Sequence, residues 1–225
     1  MATTKQKTQE EVRQENIETT VSKTEQFLNE NQKTIWGVLI AILVIGLAVL
    51  AYSKYIYAPK CEEAMKAAYP AEASFQAGEF ELALNGDGNV LGFSQIIDEY
   101  GAKAGKSAYL YAGICELQLG NFESAISYLG KYNGKDPILA ARALACKGDA
   151  YVGLEDYAAA VKCFNAAAAK ADNVFAASYL MKAGLTYEKL GDKSAALGAY
   201  KEVKDKYPQS IEAYDIQRYI SAVEE

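Results

Sequence analysis

The apolar and polar positions of this chain divide it into segments with different patterns. Residues 1–33 are rich in Gln, Glu, Thr and Lys, which is typical of a disordered or weakly helical tail. Residues 34–53 contain no charged side chain, and residues 54–63 follow as a short linker. From residue 64 to residue 225 the apolar residues recur at helical spacing. The pattern predicts an all-α chain in which one very apolar helix precedes a helical domain.

The uncharged stretch 34–53 is long enough to cross the hydrocarbon core of a membrane as a helix. Lys33 and Lys54 flank it, and Trp36 and Tyr52 lie near its ends, where aromatic side chains favour membrane interfaces. A cleaved signal peptide normally has a shorter apolar run and a short basic leader. Here 33 residues with six acidic and five basic side chains precede the run. We therefore interpret residues 34–53 as an uncleaved single-pass anchor.

The lysine count does not decide the orientation of this anchor. Within twenty residues of it, two lysines lie on the N-terminal side and three lie on the C-terminal side. The positive-inside rule therefore weakly disfavours a cytoplasmic N-terminus. A domain as large as residues 54–225, however, translocates largely regardless of the flanking charge. Charge alone leaves the orientation open.

Beyond the anchor the sequence repeats itself. YAGICELQLGNFESAISYL begins at Tyr111, KGDAYVGLEDYAAAVKCF at Lys147 and KAGLTYEKLGDKSAALGAY at Lys182, and their first glycines are 35 and 36 residues apart. A glycine in one helix lets a second, antiparallel helix approach closely, and an alanine and a bulky residue at fixed offsets would fill the contact. These three positions are Gly113, Ala125 and Leu129; Gly148, Ala160 and Phe164; and Gly184, Ala196 and Tyr200.

This arrangement resembles the tetratricopeptide repeat, a 34-residue helix–turn–helix unit with small, aromatic and proline residues at fixed offsets. Tyr151 and Tyr187 match the first-helix tyrosine, Glu116 departs from it, and Pro137 and Pro208 stand near the ends of two units. The resemblance implies an α-solenoid of about four helix pairs after the single transmembrane helix. Regular repeats are expected at about 106–139, 141–174 and 177–210, followed by a capping helix at 211–225.

The stretch ALNGDGNVLGF, residues 83–93, raises the question of a calcium or phosphate loop. Counted as an EF-hand from Asn85, it lacks the glycine at the sixth position and the glutamate at the twelfth. The G-x-G-x-x-G spacing also fails. FSQIIDEYG, which starts at Phe93, aligns with a segment 107 residues later, whereas QAGEFELAL just upstream aligns with one 113 residues later. The difference indicates an insertion at 85–92, inside a degenerate first repeat.

Several kinds of function lack the residues that they need. Histidine is absent, which removes the commonest general base and the commonest metal ligand. No G-K-[ST] loop or nucleophile–base motif is present, so we expect no enzyme activity, cofactor or metal site. Residues 54–225 carry 18 basic and 23 acidic side chains without a basic stripe, which argues against nucleic acid as a partner. Either buried packing or a disulfide would suit the four cysteines, Cys61, Cys115, Cys146 and Cys163.

In a stack of tetratricopeptide repeats the first helices line the concave face. The family's groove positions, carried over to this sequence, imply a partner-binding surface that is mostly apolar or adaptable. Its residues are Leu110, Ile114, Leu117, Gln118, Arg142, Ala145, Asp149, Val152, Met181, Leu185, Glu188 and Lys189. The groove lacks the basic cluster with which some repeat cochaperones hold a carboxylate, so a hydrophobic helix or an unfolded segment would suit it. Alternatively, the neighbouring helix at 60–77 or the cap covers these residues.

The order of tail, span, linker and divergent repeats is similar to that of the YfgM-like ancillary subunits of the bacterial Sec translocon. This resemblance implies a single-pass inner-membrane protein with a cytoplasmic N-terminus and a periplasmic repeat domain. Its partners would be the translocon, a periplasmic chaperone or unfolded client chains. We therefore expect a periplasmic assembly or chaperone-network factor. An anchored organelle import receptor with cytosolic repeats and a cell-envelope or division scaffold are the alternatives.

Overall fold

The structure is a computed structural model that describes residues 27–28, 30–171 and 173–224. The described part of the chain contains helices and turns but no strand, which confirms the predicted all-α fold. The chain divides into two compact units, Met1–Ala58 and Pro59–Glu225. Most of the predicted polar tail, residues 1–33, lies outside the described residues.

The first unit contains helix α1, Gln32–Tyr52, and a wider π-helical turn at Ser53–Tyr57. None of the α1 side chains is buried. Within the described residues one helix, Gln32–Gln76, is long and apolar enough to cross a membrane by its length and composition. Membrane anchors and signal sequences share these two properties.

The second unit consists of short helices that are mostly paired through tight turns. Helix α2 enters it at Pro59, so residues 54–63, interpreted above as a linker, are helical. The helices are α2 (Ala58–Gln76), α3 (Phe80–Asn85), α4 (Phe93–Tyr100), α5 (Lys106–Gln118), α6 (Phe122–Lys131), α7 (Pro137–Gly153), α8 (Tyr157–Ala171), α9 (Val174–Lys189), α10 (Lys193–Lys206), α11 (Ile211–Tyr214) and α12 (Ile216–Glu224), with a 3₁₀ turn at Gly101–Ala104.

Each regular pair is closed by a bulky side chain of the second helix that lies on a glycine of the first. A Cβ atom added at Gly148 of α7 would lie 2.6 Å from Cε1 of Phe164 in α8. Real Cβ atoms essentially never approach another heavy atom within 3.0 Å, so only glycine permits this packing. The same contact joins Gly113 to Leu129 and Gly184 to Tyr200. The spacing in the sequence therefore records a real contact between the helices.

The turns between paired helices share one residue in the left-handed region. Gly120 and Gly191 have φ angles of 81° and 77°, and Glu155 occupies the equivalent position with a φ of 60°. Asp156 and Asp192 then cap the second helices by accepting hydrogen bonds of 3.0 and 2.9 Å from backbone N–H groups three residues later. The LED turn thus keeps the shape of the LGD turn, although its glutamate pays a steric cost of roughly 1–2 kcal/mol.

In the first pair the insertion divides the second helix into α3 and α4. Helix α3 ends at Asn85 and α4 begins at Phe93, and both pack with α2 in one apolar cluster. Inside the loop, Oδ1 of Asp87 accepts hydrogen bonds from the backbone N–H groups of Val90 and Asn89, at 3.0 and 2.9 Å. These hydrogen bonds hold the pKa of Asp87 below its ordinary value. The carboxylate therefore stabilises the loop's own backbone.

The C-terminal segment differs from the single amphipathic helix that its sequence predicts. Helix α11 ends before Asp215, and α12 follows as a separate helix. Ile216 and Ile220 are both 3% exposed and join the core of α9 and α10, whereas Ile211 and Tyr214 are 91% and 89% exposed. A helix rotates by about 100° per residue, so the two sets would lie on nearly opposite sides of one helix. A single helix cannot bury both sets against one neighbour.

Replacing Gly148 by Leu should destabilise the repeat domain, because the new side chain would collide with the ring of Phe164. Overpacking of this kind costs roughly 1–3 kcal/mol, and stability should fall in the neighbouring repeats, since each stacks on the next. Urea unfolding of residues 59–225 measures the change. Gly198→Leu in α10 is the control, where an added Cβ meets no atom within 4 Å and the variant should be at least as stable as the parent. A Gly148→Leu protein as stable as the parent would contradict the contact.

Candidate functional site

The twelve residues predicted to line the groove fall into two groups by exposure. Leu110, Ile114 and Ala145 are buried, at 2%, 6% and 3% exposure. The other nine are at least partly exposed: Leu117, Gln118, Arg142, Asp149, Val152, Met181, Leu185, Glu188 and Lys189. The accessible face of the first helices is therefore smaller and more polar than the predicted surface.

Helix α2 covers the first part of the predicted groove. Phe75 of α2 packs against the cluster that contains Leu110 and Ile114 of α5. Its ring centroid also lies 4.9 Å from that of Tyr111. A neighbouring helix thus covers these two groove residues, which is the alternative that the sequence left open. Ala145 belongs instead to the core between α7, α8 and α9.

Between α2, α5 and α7 the packing leaves a cavity of about 210 Å³. Its lining is partly apolar, from Phe75, Leu110, Ile114 and Leu139, and partly polar, from Glu72, Gln76, Tyr111 and Arg142. Sequence reasoning missed the contribution of α2, together with Tyr111 and Leu139. The 113-residue offset of the first repeat was the available signal, because it places Phe75 at the register of the predicted groove residue Glu188.

A half-buried ion pair joins α7 to α9 on the first helices. Nζ of Lys182 lies 2.7 Å from Oδ2 and 2.8 Å from Oδ1 of Asp149. The same ammonium group lies 5.7 Å from the ring centroid of Phe164, which is within the range of a cation–π contact. Asp149 is therefore paired within the chain and is not a free carboxylate for a partner.

The cysteines near this face are packing residues. All four cysteines of the chain are free thiols in the structure, so no disulfide forms there. Burial, with a further contribution from Asp149, raises the pKa of the Cys146 thiol above its ordinary value. Burial raises the pKa of Cys115 to about 12. Thiols with raised pKa values are protonated at neutral pH and are poor nucleophiles.

Glu188 is held by a tyrosine from the second helix of its own pair. The buried phenol of Tyr200 donates a hydrogen bond to the Glu188 carboxylate. Because the ring of Tyr200 lies on Gly184, the glycine contact also brings the hydroxyl within reach of Glu188, one turn further along α9. Burial, followed by the effect of Glu188, raises the pKa of Tyr200 above its ordinary value. This groove residue is thus partly used for internal packing.

Comparison with known proteins identifies the repeats. Family models described as tetratricopeptide repeat match residues 107–137 and 147–211. A crystal structure of MamA superposes with a TM-score of 0.53 at 20% identity, covering 68% of this chain and 91% of MamA. A second MamA crystal structure gives 0.54 at 20% identity, with 73% and 86% covered. No curated protein matches the chain.

The chain therefore contains tetratricopeptide repeats in an α-solenoid of the fold seen in MamA. Such repeats are protein-interaction modules, so protein partners are the expected ligands of the face that the first helices line. The matches cover the regular pairs built on the three glycine contacts, and the divided first pair lies outside them. The similarity to YfgM-like subunits has no counterpart among these matches and belongs to the proposal below.

Tyr200→Phe should lower the stability of the repeat domain by about 1 kcal/mol at neutral pH, because it removes a hydrogen bond from the buried phenol. The raised pKa keeps this phenol neutral in the folded protein, whereas an unfolded chain ionises it near pH 10. The parent's advantage should therefore be complete below about pH 10 and decline above it, by about 1.4 kcal/mol per pH unit. Urea unfolding of both proteins between pH 7 and pH 11 measures this. A difference that stays constant with pH would contradict the assignment.

Proposed function

We propose that this chain is a membrane-anchored protein–protein interaction module that works by binding and not by catalysis. Its repeat domain would act in the periplasm, at the Sec translocon, as an assembly or chaperone-network factor. The observation that carries the proposal is the cavity between α2, α5 and α7, where three first helices arrange apolar side chains around a space of about 210 Å³. A space of this kind suits the side chains of a partner.

The chemistry of the first-helix face favours an apolar segment of the partner. Leu139 and Leu185 are 39% and 42% exposed, so each offers apolar surface that binding would remove from water. Much of the charge on the same face is already compensated, since Asp149 is paired with Lys182. An unfolded chain that emerges from a translocon presents apolar side chains of this kind, as does a hydrophobic helix.

The apolar helix α1 supports the membrane part of the proposal. Residues 34–53 carry no charge, and no side chain of α1 is buried by the protein itself. A lipid environment would cover this surface and satisfy the requirement for internal backbone hydrogen bonding, which a helix meets. An anchor would also confine the repeats near the membrane and raise their effective concentration for membrane-bound partners. The translocon and its chaperone are proposed because the layout of the chain is similar to that of YfgM-like subunits.

Leu139→Glu combined with Leu185→Glu should abolish crosslinking of the full-length chain to the translocon or its chaperone. The two carboxylates would have to be desolvated in an apolar contact. Both leucines are partly exposed, so circular dichroism should show an unchanged helix content. Leu154→Glu with Leu190→Glu is the matched control, because these leucines are 38% and 44% exposed in the turns between paired helices. Equal crosslinking by the groove variant and the parent would place the contact elsewhere.

Protease accessibility tests the proposed location of the repeats. Protease added to spheroplasts should digest residues 59–225, while intact cells with a closed outer membrane should protect them. A cytosolic protein that stays undigested in the same spheroplasts is the control for an intact inner membrane. Digestion only after the inner membrane is lysed would contradict the periplasmic location and favour a receptor with cytosolic repeats.

A further inference from the structure

The outer face of α2 is apolar and is not covered by any described part of the chain. Met65 and Tyr69 are 70% and 74% exposed, with Glu62 and Lys66 beside them, one helical turn apart. The opposite face of α2 is closely packed by buried alanines, Ala64, Ala68 and Ala71. Helix α2 therefore has one face in the core of the repeat domain and a second apolar face that has no partner.

The register of the repeats shows what this outer face corresponds to. The 113-residue offset places Lys66 and Tyr69 at the positions of Tyr179 and Lys182 in α9. Those two residues join α9 to the preceding pair: Tyr179 packs against the core of α7 and α8, and Lys182 pairs with Asp149 of α7. The outer face of α2 is thus the continuation of the stacking interface between repeats, at the pair that has no predecessor.

We propose that a second copy of this chain covers the outer face of α2, with α2 packed in parallel against the same helix of its partner. A two-fold axis between the helices would bring Met65 and Tyr69 against their own copies, as isologous interfaces require. Glu62 and Lys66 form an ion pair of 2.8 Å within the helix. The face is therefore electrically balanced, and two copies meet without an excess of like charge.

Helix α1 gives an independent reason for choosing a second copy as the occupant. Gly37, Ala41, Ala48 and Ala51 lie at spacings of four, seven and three residues, which places them on one side of the helix. No atom lies within 4 Å of a Cβ added at Gly37, so packing within the chain does not require this glycine. In membranes, small residues at such spacings let a second helix approach closely. Two copies in one membrane also share their orientation, which a parallel contact needs.

Site-directed crosslinking of the full-length chain in membrane vesicles tests the contact between α2 helices. Tyr69→Cys in a Cys61→Ser background should form a disulfide-linked dimer under mild oxidation, because the two-fold axis brings residue 69 next to its copy. Tyr214→Cys in the same background is the matched control, since Tyr214 is 89% exposed at the other end of the domain. We expect at least tenfold more dimer at position 69 than at position 214. Equal yields at the two positions, or no dimer at either, would overturn the proposal.

A second experiment separates the α2 face from association through α1 alone. Met65→Glu with Tyr69→Glu should lower the dimer fraction of the detergent-solubilised chain at least tenfold in sedimentation measurements, because charge would line the contact. Ile211→Glu with Tyr214→Glu changes an equally exposed pair and should leave the dimer fraction unchanged. If Gly37→Leu abolishes the dimer and the α2 variant does not, the α2 face is not the interface. This readout does not depend on the partner of the first-helix face.

Discussion

The close contact between a glycine of one helix and a bulky side chain of the next is the constraint on which the repeat domain depends. At Gly184 an added Cβ would lie 2.2 Å from the ring of Tyr200, so even a methyl group is excluded. This contact sets the distance between paired helices, and that distance decides which residues face the following pair. The divided first pair uses a small residue in the same role, since Ala71 and Phe93 share one core cluster.

The same contact distributes charge over the face of the first helices. Because the bulky residue of the last regular pair is Tyr200, its hydroxyl reaches Glu188, whereas Phe164 and Leu129 offer no donor at that place. The stacking of one pair on the next likewise brings Lys182 onto Asp149. Internal hydrogen bonds and ion pairs therefore engage part of the charge that the sequence assigns to the groove. What remains is an apolar cavity with a few polar groups at its edge.

The two ends of the stack are finished differently, which matters because a terminal repeat lacks a neighbour on one side. At the C-terminal end, α12 buries Ile216 and Ile220 against the last pair. At the N-terminal end, α2 keeps Met65 and Tyr69 in solvent. A stacking face without a neighbour exposes apolar area that association removes from water, and this is the physical basis for inferring self-association there.

The sequence by itself determined the helix pairs and their contact residues, because the offset from glycine to bulky residue follows from local helix geometry and a short turn. It also determined the apolar helix near the N-terminus, which depends only on length and composition. Only the tertiary structure decided that Phe75 covers Leu110 and Ile114, and that Ile211 and Tyr214 stay exposed beside a buried Ile216. Periodicity shows which side of a helix is apolar. Which neighbour covers that side depends on how the pairs stack, and contacts between helices distant in sequence decide this.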